Sequence, residues 1–410
     1  SKFWTDSTEI KKEKKNTTTL FQNKTVKNKE FNKNFKIDTQ NLKIVDDFNF
    51  LTNHQGIQKF NKEISKKSRF RFSKIRNFNY FETDLVFDGR NFIFFDNKGN
   101  IIKFDRNFKI IWKKNFYSKQ EKKSNILLNI AHENDILIIT DNLSKYYAVD
   151  LKNGELLWSK TNLTPFNSQI KIYKDKIYIV DYENILHCFS IKNGNRIWSY
   201  QTDNFFVKSK KTLSIIIDNE KVIFTNSIGD ITALDVNKGF LLWQMPTQNN
   251  LIYAESASLI TSDIVLEKDS IFFSNNRNEF YSINKDNGFL NWKQKINSNI
   301  KPVFFNDFIF TVTNEGYLVV IDNESGNLIR SNYLLGNFKK KKRKKIKPVG
   351  FIVGQINIYL TLNNGKLLVV DIKTGSVNTV LKIDKEKISS PVVQGQNLYV
   401  AKNNSIIKLN

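Results

Sequence analysis

The chain has one cysteine, Cys188, in 410 residues, with one methionine, five prolines and three histidines. A single thiol excludes an internal disulfide framework and any site built from several thiolates. His54, His132 and His187 lie far apart in sequence. On a strand, the neighbours His187 and Cys188 point to opposite faces, so no metal site is expected there. No run of about 18 apolar residues occurs, and no membrane-spanning helix is expected. The glycines form no G-x-G-x-x-G or Walker-type phosphate loop. No histidine is placed to activate a nucleophilic Ser or Cys in a known catalytic motif. The reading is therefore no catalytic residue, no metal and no cofactor.

Acidic residues are also in short supply, 40 against 64 Lys and Arg, which leaves a formal charge of +24 and a pI near 9.7. Such a balance ordinarily points to nucleic acid or an anionic membrane. The chain is equally loaded with Lys, Asn, Ile and Phe, a skew that A+T-rich coding produces without selection for a basic surface. Net charge alone thus leaves the partner open. The chain begins at Ser1 and not Met, which suggests that an N-terminal segment has been removed or left out.

What the chain has in quantity is repetition. The phrase "DLKNGELLW" recurs as "LDVNKGFLLW" and "INKDNGFLNW". Aligned on its glycine, it marks Gly154, Gly194, Gly239, Gly288, Gly326 and Gly375, at intervals of 40, 45, 49, 38 and 49 residues. Four residues after the first four stand Trp158, Trp198, Trp243 and Trp292, and a shortened earlier copy, "DRNFKIIW", ends in Trp112. In the last two copies the position holds Arg330 and Thr379. Upstream of each turn lies a strand, a short polar turn and a second strand, as in "KVIFTNSIGDITALDV". Gly99, Gly229, Gly316 and Gly365 fall in those hairpin turns, where a positive φ is needed. Ten of the sixteen glycines thereby serve one of two repeated turns.

A period in the forties with four antiparallel strands per unit predicts an all-β fold, a β-propeller. A single blade cannot bury both faces, so blades stack, and the Trp is expected to wedge each seam. Seven full units run from about Phe81. The C-terminal stretch supplies three more strands and stops, so an N-terminal strand should complete an eighth blade and leave no open edge. "EFNKNFKID", residues 30–38, is the expected closing strand, with Phe31 or Phe35 in place of Trp. Residues 1–29 read as a mobile tether carrying Trp4, and 30–410 as one domain in which 39–80 form an insertion against the ring's end.

Two interruptions of the pattern are candidate contact sites. The lysine run Lys339, Lys340, Lys341, Lys342, Arg343, Lys344 and Lys345, between the sixth and seventh units, is expected to stay extended by self-repulsion and to meet anionic surfaces. The long connection after Trp243 carries apolar residues. The recurring Asp150, Asp235, Asp322 and Asp371 sit at one place in a turn, where a carboxylate bonds nearby amides, and read as structural.

"YYAVDLKNGELLW" resembles the repeat named after pyrroloquinoline quinone enzymes, and the resemblance covers most of the chain from about Phe81 onward. Quinoprotein dehydrogenases of that type look for a quinone, a calcium ion and often a vicinal disulfide, which one cysteine cannot supply. The chain is more similar to the BamB family, non-catalytic eight-bladed lipoproteins of the outer-membrane β-barrel assembly machinery. That resemblance implies a monomer on the periplasmic face of a Gram-negative outer membrane, held by a lipid anchor. The implied partners are BamA, other subunits of the machinery and outer-membrane protein substrates, with no nucleic acid. It implies a BamA contact in a mid-chain loop, matched here by "ESASL", Glu255 to Leu259, and by Asp263; Leu251, Ile252 and Tyr253 of the same loop are candidate contacts as apolar residues at the end of a rigid scaffold. The rival expectation is a basic propeller that binds anionic lipid or nucleic acid through Lys339 to Lys345.

Overall fold

The second strands of the repeats, such as Asn91–Phe95, Ile136–Asp141, Lys176–Val180 and Lys221–Thr225, are almost continuously apolar, and nearly every residue in them is buried. A sheet covered on one face only would alternate. Continuous burial means that both faces are packed, and the computed structural model shows why: the sheets stack side by side around a ring. It describes residues 30–44, 49–76, 78, 84–203, 208–247 and 259–410. Among these residues the strands form eight four-stranded antiparallel sheets, seven of them in simple sequence order. The protein is an eight-bladed β-propeller. Blades 1 to 7 occupy residues 86–114, 128–161, 171–201, 215–245, 265–294, 303–333 and 348–382.

The outer strands behave differently. Leu156–Thr161 and Arg196–Gln201 alternate between exposed and half-buried positions, because their far edge meets water. Within them the tryptophans face small partners across the ladder: Trp158 opposes Ala148, Trp198 Cys188, Trp243 Ala233 and Trp292 Ser282. A register shift follows each pair and turns the strand into the D-x-x-x-G turn. The recurring carboxylates do what a turn requires, as Asp150 accepts from the amides of Lys152 and Asn153 at 2.8 and 3.0 Å.

Blade 8 consists of Val392–Gln394, Asn397–Lys402 and Ser405–Leu409, and its fourth strand is β1, Lys67–Arg71. An N-terminal strand does close the ring, but it is not residues 30–38. In β1 the register sets Phe70 opposite Ile406 and its ring 4.6 Å from Phe104 of blade 1, so Phe70 and not Phe31 or Phe35 fills the last seam. Residues 30–38 lie along blades 6 and 7 instead. The Asn32 amide donates to the Ile329 carbonyl at 2.8 Å, the Ile37 amide to Lys373 at 3.2 Å, and Phe35 packs edge-on against Phe308. Phe31 is exposed.

Residues 49–60 cross one end of the central channel. Successive innermost strands donate to the segment or accept from it: Ile217 to the Leu51 carbonyl, Leu266 to Thr52, Phe304 to Gln55, and Gln58 to the Val353 carbonyl, at 2.7–3.2 Å. These contacts belong to blades 4, 5, 6 and 7 in turn. Asn53, 1% exposed, sends its amide nitrogen to Gln169, to Ser214 and to the carbonyls of Ile215 and Ile264. Lys171, fully buried, donates to Asn53 Oδ1 at 2.7 Å and to the Phe50 carbonyl. The segment is a plug.

Candidate functional site

The seams come first, because they decide which residues are free for contacts. Each of the five repeat tryptophans lies against the glycine of the next blade's turn. A Cβ on Gly194 would stand 2.5 Å from Trp158, one on Gly239 2.4 Å from Trp198, and those on Gly154, Gly288 and Gly326 2.8, 2.5 and 2.4 Å from Trp112, Trp243 and Trp292. The indole nitrogen usually donates across the same seam, from Trp158 to the Ile191 carbonyl at 2.8 Å and from Trp243 to Lys285 at 3.0 Å. At the third seam Tyr178 makes that bond, to Val236 at 2.9 Å. Where Trp is replaced, the seam is rebuilt. Arg330, 0% exposed, donates to the Ile372 and Lys373 carbonyls across from Gly375 and to Phe35 of the N-terminal segment. Burial lowers its guanidinium to about 10. At the closing seam the smaller Phe70 leaves room for a side chain, and Phe108 takes the turn position with φ of 65°. The tryptophans and glycines are therefore structural.

The plug end holds the D-x-x-x-G turns. The opposite, open end carries the connections between blades and the middle hairpin turns, and both sequence candidates lie there. Of the mid-chain loop, Leu251, Ile252, Tyr253 and Glu255 fall outside the described residues. Leu259 is buried, its side chain against the Gly229 turn, so it anchors the loop in its own ring. Asp263 sits at the inner rim, 3.5 Å from Gln169 and 3.7 Å from Lys211. Nearby, burial raises the Asp230 carboxyl to about 6 although the Thr247 amide donates to it.

The lysine run is not extended as expected. Lys340–Arg343 form one helical turn, because the Arg343 guanidinium folds back onto the carbonyls of Phe338 and Gly336 at 2.8 and 2.7 Å. All its lysines are exposed. Asn363 ties the run to the ring, donating to the Lys345 carbonyl and accepting from the Lys347 amide.

Beside Asn363 the channel mouth opens into a cavity of about 920 Å³ lined by Lys74, Arg76, Lys347, Lys387, three asparagines and one carboxylate, Glu386. Nothing in the sequence pattern singled out Lys74 or Arg76, which lie between the closing strand and blade 1. The buried Asn53 and Lys171 were equally silent, since their partners are up to 211 residues away. Cys188 is buried, and His187 bonds Asp181 at 2.8 Å. Among the described residues no group of three His, Cys, Asp or Glu side chains could hold a metal, and no helix is long and apolar enough to cross a membrane. A calcium–quinone pair would need several carboxylate oxygens, and among the described residues lining this cavity Glu386 is the one carboxylate, which does not fit it.

A family model described as outer membrane protein assembly factor BamB matches residues 97–332. The chain belongs to the BamB family. BamB of Francisella salina is 26% identical over 174 residues, 37% of this chain and 31% of that protein. BamB of Shewanella oneidensis is 27% identical over 124 residues, 30% and 29% of the two chains. The chain thus spans under a third of the length of these two relatives. The crystal structure of BamB from Moraxella catarrhalis superposes with a TM-score of 0.67 at 15% identity, covering 84% of this chain and 100% of that one. A quinohemoprotein alcohol dehydrogenase from Comamonas testosteroni gives 0.65 at 9% identity, over 86% and 78%. The two scores are nearly equal, so superposition speaks for the fold alone.

Proposed function

We propose that this BamB-family chain is a non-catalytic scaffold in the assembly of outer-membrane β-barrel proteins, acting as a monomer at the periplasmic face of the outer membrane through a lipid anchor. The observation that carries the reading is the family match over residues 97–332. The architecture is compatible with it. Seams filled by five tryptophans, Arg330 and Phe70 make a stiff ring, and a stiff ring holds loops at fixed spacing, which lowers the entropy lost when they engage a partner.

The contact proposed is the open-face loop of residues 249–263 against BamA, with Leu251, Ile252, Tyr253 and Glu255 meeting the partner, Leu259 fixing the loop's base and Asp263 holding its inner end. No covalent step is involved. Co-purification with BamA after detergent extraction tests it. Leu251→Asp, Ile252→Asp and Tyr253→Asp should together cut recovery of the pair by at least about tenfold if they form a buried apolar contact. Undiminished recovery would move the contact elsewhere, and no association of the unaltered chain would remove the function.

A further inference from the structure

The basic excess is not spread evenly over the ring. A second depression, of about 590 Å³, runs outward along the seam between blades 7 and 8 and shares Glu386 with the channel mouth. Together the two are lined by ten lysines and arginines and only two carboxylates, Asp384 and Glu386. Both carboxylates are already neutralised. Asp384 takes Arg69 at 2.7 Å and Lys402 at 2.9 Å, and Glu386 takes Lys402 at 3.3 Å and Asn403 at 2.8 Å. Lys74, Arg76 and Lys347 are exposed and make no ion pair among the described residues. The lysine turn 339–345 joins the same face through Asn363.

We infer that the open face around the blade 7–blade 8 seam is a docking surface for the phosphate headgroups of an anionic phospholipid membrane. Three features select that occupant. The positive charge is laid out over two joined depressions and a neighbouring turn on one face of the ring, a layout that a charged surface can meet at many points at once. Residues 49–60, hydrogen-bonded to blades 4, 5, 6 and 7, lie across the far end of the axis, in the path of any polymer strand threading the ring. Among the described residues no exposed aromatic ring lines either depression, Phe78 being buried, so these walls give the bases of a single-stranded nucleic acid nothing to stack on. This surface does not depend on the BamA reading and would operate beside it.

The test uses the full chain and co-sedimentation with vesicles of phosphatidylcholine, with and without about 30 mol % phosphatidylglycerol. Binding is expected only to the anionic vesicles and should weaken at least about tenfold between low and physiological salt. Lys74→Ser/Arg76→Ser/Lys347→Ser should weaken it by about tenfold, whereas the same loss of charge on the plugged face, Lys192→Ser/Lys238→Ser/Lys373→Ser, should leave it unchanged. All six positions are exposed, and unchanged melting of both variants confirms that folding is not the cause. Equal weakening by the two triples would reduce the effect to net charge and overturn the site. So would absence of binding, full displacement by soluble glycerol phosphate at equal phosphate concentration, or tighter binding to single-stranded RNA.

Discussion

Trp158 lies against Gly194, not against the glycine of its own turn: a methyl on Gly194 would stand 2.5 Å from the indole. Each phrase of the repeat is thus half of a joint, and the other half belongs to the next blade. Gly194 also has φ of 69°, so it is constrained both by backbone and by neighbour.

Gly194→Ala should therefore cost more than the roughly 1 kcal/mol of a positive φ alone. Gly89 provides the comparison, with φ of 55° and nothing within 4 Å of its would-be Cβ. Denaturant unfolding should show Gly89→Ala losing about 1 kcal/mol and Gly194→Ala about 2 to 4. Trp158→Ala alone should cost about 3 kcal/mol. The double variant should lose less than the sum, because the methyl then enters the space the indole leaves. Strict additivity would contradict the joint.

Arg330 replaces a tryptophan with a fork, serving three carbonyls, those of Phe35, Ile372 and Lys373. Lysine keeps the charge but not the planar geometry, so Arg330→Lys should destabilise by about 2 to 4 kcal/mol. It should also loosen residues 30–38, which limited proteolysis would report as new cleavage in that segment.

Lys171 makes stability depend on pH. Burial lowers its amine from 10.5 to about 7, with Asp263 and Asp84 opposing the shift and Lys301 adding to it. Between those values the folded amine is neutral while the unfolded one carries a proton, so unfolding takes up a proton. Raising the pH from about 7 toward 10 then disfavours unfolding, by up to about 1.4 kcal/mol for each pH unit. Lys171→Met should flatten that part of the profile. Denaturation midpoints measured at pH 7 and 9 for both proteins check it, and an equal slope in the two would refute the assignment.

The closing strand can be tested by truncation. A chain beginning at Gln40 keeps β1 and should remain cooperative while it loses the contacts of residues 30–38. One beginning at Ser73 lacks the plug as well as the fourth strand of blade 8, and exposes the edge of Ser405–Leu409. It should unfold at lower denaturant and self-associate, as open strand edges do. Light scattering with urea titration separates the two outcomes.

The first seven blades, their turns and the tryptophan wedges were legible in the sequence because each rests on interactions within about fifty residues that recur from unit to unit. Asp150, Gly154 and Trp158 announce their roles by position alone. The sequence by itself also settled that one N-terminal strand was owed to the last three C-terminal ones. It did not say which, since "KSRFR" has one apolar residue against the two phenylalanines of "EFNKNFKID". Only the folded ring decides, through the register that brings Phe70 to Phe104 and the guanidinium of Arg330, which donates to the Phe35 carbonyl and holds residues 30–38 elsewhere. The plug, the buried Lys171 and the basic trough are likewise tertiary facts. They join residues from blades far apart in sequence, and no local pattern can encode a meeting at the axis of a ring.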